Sequence, residues 1–155
     1  MKINKKNQTL LAVSLLALAG NASAHDQSGD LGNAASATDY YVVTCSNDGS
    51  GAPYQLYFDL TDLTKNSAPV VSAQVTKDLM AATTSDLVDT DTAAGPAIIL
   101  RGGAAAPGKG SGPGNYFVTI DKSKAGLEKY HFTFHCQTQN GDHTGTDITT
   151  LQKSH

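Results

Sequence analysis

The sequence has no apolar run near the roughly 20 residues that a bilayer-spanning helix needs. It contains one glutamate, Glu128, and one arginine, Arg101, among 14 acidic and 11 basic residues. With a lone Glu and scattered Asp, spacing places no carboxylate pair of the kind that cleaves glycosides. No Lys/Arg cluster is present, which argues against nucleic acid and anionic lipid as partners, because phosphate binding needs concentrated positive charge. The G-x-S-x-G elbow of serine hydrolases is missing. The Gly-rich stretch 101–115 holds no phosphate-loop pattern. No internal repeat occurs, and no long segment carries apolar residues at helical spacing.

What is present begins with an export signature. Lys2, Lys5 and Lys6 precede the apolar run Leu10 to Ala19, and Ala22-Ser23-Ala24 follows as a small-residue cleavage site. This order predicts a secretory signal peptide over residues 1–24, cut after Ala24, with no membrane insertion afterwards. Three of the 11 basic residues lie in it, leaving eight against 14 acids, a net charge of −6. The mature protein is expected to be secreted or periplasmic. Two cysteines, Cys45 and Cys136, then meet an oxidising compartment and allow only one pairing.

The remaining chain suits one domain. Residues 25–38 are mostly small or polar and are expected to form a flexible N-terminal arm. From residue 39 to 155 the pattern is short β-like runs between turn residues. Tyr40 to Cys45, Tyr54 to Leu60, Val71 to Thr76, Ala97 to Leu100, Tyr116 to Ile120, Glu128 to Gln137 and Thr146 to Leu151 are the candidate strands. Lys77 to Ala82 and Lys122 to Lys129 have room for a turn or two of helix. The expectation is an all-β, single-domain β-sandwich, an Ig-like or cupredoxin-like Greek key. Alternation puts Tyr41, Val43 and Cys45 on one core face, and Tyr130, Phe132, Phe134 and Cys136 on another. A Cys45–Cys136 disulfide joining two sheets follows. Residues 101–115 read as a surface loop. Asn140-Gly141 reads as a hairpin turn, with a loop of Asn140 to Asp142 directing Ile148 inward.

Cleavage after Ala24 makes His25 the first mature residue. Its α-amino nitrogen and ring can hold one metal together, and one more imidazole completes a nitrogen set suited to Cu(II). This resembles the histidine brace of exported copper proteins, among them polysaccharide monooxygenases and small periplasmic copper carriers. His131, His135, His143 and His155 are the further histidines. His131 and His135 lie on one strand face about 13 Å apart and cannot chelate one ion. His135 and His143 are the partners favoured for His25, with a separation of about four residues expected between them. Each histidine also has a plain reading as a solvated surface residue.

The segment from Tyr130 to Cys136, followed by His143 and Thr146, also resembles the last hairpin of cupredoxins. It departs from that pattern in lacking the Met ligand and an upstream histidine after His25, and Cys45 competes for Cys136. Asp86, Asp89 and Asp91 offer oxygen ligands for calcium without the spacing of an EF-hand loop. Two functions are therefore open. One is an exported copper-binding protein using His25, His135 and His143 for metal binding or delivery. The other is an extracellular structural or interaction domain that self-associates or binds a protein partner, with Val70 to Thr76 as its exposed edge strand.

Overall fold

The computed structural model describes residues 25–65, 69–88, 92–101 and 112–154. Residues 1–24, where a signal peptide is expected, the centre of the Gly-rich loop, Asp89, Asp91 and His155 lie outside these.

Ten strands are present and no helix occurs among the described residues. They are β1 (His25–Leu31), β2 (Asp39–Cys45), β3 (Gln55–Asp62), β4 (Val71–Lys77), β5 (Met80–Asp86), β6 (Ile98–Arg101), β7 (Gly114–Lys122), β8 (Glu128–Gln137), β9 (His143–Thr144) and β10 (Thr146–Gln152). One sheet has the order β1-β8-β3-β6, with β9 also on β8. The other has the order β10-β2-β7-β4-β5. All pairings are antiparallel.

The core follows from alternation. Leu56, Phe58, Leu60, Tyr130, Phe132 and Phe134 project from the first sheet, each fully buried. Tyr41, Val43, Val75, Tyr116, Val118 and Ile120 meet them from the second. Cys45 and Cys136 sit among these residues and form a disulfide. It joins β2 of one sheet to β8 of the other, as the shared core faces imply.

The structure corrects several expectations. Residues 25–31 are not a flexible arm: β1 pairs with β8 over seven positions, from His25 opposite Phe134 to Leu31 opposite Glu128. Its composition hides this. Only Leu31 is a large apolar residue, and it is fully buried. Gly29 is required by a close approach, since a Cβ there would lie 2.2 Å from the Tyr130 hydroxyl oxygen.

The helix expected around Lys77 to Ala82 is instead a tight hairpin. Lys77 pairs with Met80, and Asp78 turns the chain at φ 52°, a left-handed conformation that Asp tolerates. The strand after it, β5, turns Ala82, Thr84 and Asp86 toward the interior, residues too small or polar to read as a core face. Thr84 donates to the Pro96 carbonyl at 2.6 Å, and Asp86 accepts from the Asp62 amide at 2.9 Å. Residues 123–127, also expected as helical, link β7 to β8 without one.

The proposed edge Val70 to Thr76 is interior, because β4 lies between β7 and β5. The last hairpin differs too. β8 and β9 are joined by a five-residue loop, closed by Thr138 donating to the Asp142 carbonyl at 2.8 Å. After Gly145 the chain leaves for the second sheet, where β10 pairs with β2. Ile148 does pack against the core, opposite Val43 rather than opposite a β8 residue.

Candidate metal centre

One edge of β8 is shared end to end by two short partners. β1 covers Glu128 to Phe134, and β9 covers Cys136 and Gln137. Between them, His135 has no backbone partner on that edge among the described residues. The three candidate histidines surround this break. His25 is the end of β1, His135 is at the gap, and His143 is the start of β9.

Register brings His135 and His143 together. His143 lies opposite Gln137, only two residues along from His135 and on the same outer face. The two rings stack with centroids 4.2 Å apart and planes at 26°. The four-residue separation expected from sequence is therefore wrong, because the loop has five residues and not three. On the other side of β8, Tyr57 of β3 lies directly opposite His135, and their rings stack at 4.6 Å and 12°. His25 lies opposite Phe134, with ring centroids 5.7 Å apart.

The electrostatics single out these same side chains. The Nδ1 atoms of His25, His135 and His143 are all buried, and none has a hydrogen-bond partner. A neutral imidazole has one donor and one acceptor nitrogen, and a buried one left unpaired is costly. Burial pushes the His135 ring down to about 4, helped by the nearby charges of His143 and His25 and opposed by Asp59. His135 is thus neutral at ordinary pH, the state in which imidazole ligates metal. Among the described residues, no three His, Cys, Asp or Glu side chains form a closed ligand set. His135 and His143 stack on the outer face, whereas His25, opposite the buried Phe134, lies on the core face of the same sheet edge.

The other candidates are engaged elsewhere. His131, four residues before His135, accepts or donates at Nδ1 with Ser28 Oγ at 3.2 Å and lies 3.6 Å from Asp26. Cys136 is in the disulfide and is no thiolate ligand, which removes the cupredoxin-type site. Asp86, one of the calcium candidates, is buried, and its two oxygens accept from the Asp62 and Val88 amides. Sequence reading missed Tyr57 and Asp59. Their alternation with Leu56, Phe58 and Leu60 marked them as outward, but only the β3–β8 register shows that Tyr57 meets His135.

Compared with known proteins, the chain matches no family model, no curated protein and no solved structure.

Proposed function

We propose that this is an exported copper-binding protein that holds Cu(II) at His25, His135 and His143, for metal binding or delivery. The observation that carries the reading is that the Nδ1 atoms of the stacked His135 and His143, and that of His25 at the start of β1, are buried without a hydrogen-bond partner. Imidazole nitrogen suits Cu(II), and an ion there would satisfy atoms that the protein leaves unsatisfied.

The register supports a role for the mature N-terminus. β1 begins at His25, opposite Phe134, and Cys136, two residues further along β8, is paired with Thr144 of β9. A chain cut after Ala24 would begin with His25, whose α-amino nitrogen and ring are the pair that a histidine-brace-like site uses. The signal peptide and the disulfide both fit export to an oxidising compartment. A Greek-key sandwich of the Ig-like or cupredoxin-like kind fits the repeated crossing of the chain between sheets.

Competition titration with Cu(II) tests the assignment on protein recovered from an exporting host. Wild type is expected to bind one ion, and His25→Ala, His135→Ala and His143→Ala are each expected to weaken it. Submicromolar affinity that survives loss of His25 contradicts it. Copper-free protein that self-associates with concentration would instead favour the interaction-domain reading.

A further inference from the structure

The two sheets end in β1 and β6, and in β10 and β5. An end strand offers unpaired backbone groups to another chain unless charge, a bulge or short length guards it. Three of these ends are guarded. β1 exposes Asp26 and Asp30, and β9 beside it has only two residues. β10 carries the exposed Asp147 and shifts register between Thr150 and Gln152. β6 is four residues long and ends in the exposed Arg101.

β5 has no such guard. From Met80 to Ser85 it contains no charged residue and no proline, and its register with β4 never shifts. Its acid, Asp86, is buried and accepts from backbone amides. The Lys77–Met80 pair flanks a two-residue turn, where the paired residues exchange backbone hydrogen bonds. Alternation then directs the backbone groups of Met80, Ala82 and Thr84 to β4, and those of Ala81, Thr83 and Ser85 to the open edge. Gly95 lies against the Ser85 carbonyl, since a Cβ there would come within 2.5 Å of its oxygen. The open stretch is therefore Met80 to Thr84, and no strand among the described residues pairs with it. Exposed leucines stand beyond both ends, Leu79 at 93% and Leu87 at 72%.

We propose that this edge docks the β5 of a second copy of the chain, antiparallel about a two-fold axis at Ala82. Charge and symmetry select the occupant. The chain has 14 acidic residues against 11 basic ones, so two copies repel except where charge is absent. About this axis, Ala81 of each copy lies opposite Thr83 of the other, and such pairs exchange both backbone hydrogen bonds. Ala82 meets its own counterpart, in the closer pair that a small side chain suits. No like charges are opposed. Leu79 falls opposite Ser85 of the other copy and diagonal to its Leu87, within reach of a long side chain. A two-fold contact uses the same patch on both copies, so assembly closes at the dimer. The pairing needs no metal. A protein that takes up copper and also dimerises carries the two functions at separate places, and one that dimerises without ever taking up copper keeps this one alone.

Sedimentation equilibrium of the exported chain, disulfide intact, tests the proposal from micromolar to millimolar concentration. Wild type is expected to pass from monomer to dimer within that range, because a single edge pairing is smaller than a standard stable interface. Thr83→Lys adds the charge that other edges carry, and Thr83→Pro removes an N–H directed at the partner and not at β4. Each is expected to weaken dimerisation about tenfold or more, the equivalent of one or two hydrogen bonds. Thr149→Lys, on β10, is expected to leave it unchanged. Should both Thr83 variants fail to fold, amide hydrogen exchange on wild type gives a second reading, with Ala81 and Thr83 gaining protection as concentration rises. A wild type monomeric at millimolar concentration overturns the proposal. So does association undiminished in folded Thr83→Lys and Thr83→Pro, growth beyond the dimer, or exchange at Ala81 and Thr83 that ignores concentration.

Discussion

His135 and His143 stack with ring centroids 4.2 Å apart, although they come from different strands and are separated by a five-residue loop. The loop length sets this contact, because it puts His143 opposite Gln137 and so diagonal to His135. Inserting one residue between Thr138 and Asp142 shifts β9 by one position and turns His143 to the other face. Copper affinity is expected to fall as far as in His143→Ala, read by the same competition titration, while the disulfide still forms.

The disulfide closes a sequence separation of 91 residues between the two sheets. In the loop-entropy account, losing it costs about 4–5 kcal/mol. A Cys45→Ala, Cys136→Ala double variant is expected to unfold at markedly lower denaturant concentration. Urea denaturation followed by circular dichroism checks this, and reduced wild type should behave alike.

Gly29 passes over the Tyr130 hydroxyl with no room for a side chain. Gly29→Ala is expected to destabilise the protein by about 1–3 kcal/mol through forced displacement. It should loosen β1 first, visible as faster amide hydrogen exchange over 26–31 than in β7.

Asp86 is fully enclosed at the end of β5 and caps the Asp62 and Val88 amides. Asp86→Ala leaves the buried Asp62 amide without this acceptor, at an expected cost of about 1–3 kcal/mol. Thermal unfolding measures it. Added calcium is expected to leave the wild-type midpoint unchanged, since these carboxylate oxygens are already bonded.

The core was legible because its strands alternate large apolar residues with polar ones. Leu56, Phe58 and Leu60 in β3, and Tyr130, Phe132, Phe134 and Cys136 in β8, announce both face and period. The disulfide followed from the same faces. β1 and β5 were not legible, for opposite reasons. β1 is an edge strand that contributes Leu31 and a glycine but little other apolar bulk, while β5 turns Thr84 and Asp86 inward, where backbone groups satisfy them. Neither shows the apolar alternation by which strands are recognised. The histidines were visible as residues, but their proximity depends on pairing between distant strands. His25 meets the β8 edge only because β1 is a strand, and Tyr57 meets His135 only through a register that local pattern leaves open.

The proposed copper function requires that the mature N-terminus and the β8 edge hold one copper ion together. Native mass spectrometry of protein from an exporting host, after one equivalent of Cu(II), tests this most directly. The expected species begins at His25, lacks the two hydrogens lost to the disulfide, and carries one copper, which His25→Ala and His135→Ala each remove. A mass beginning at His25 with no copper bound, or copper retained by both variants, contradicts it.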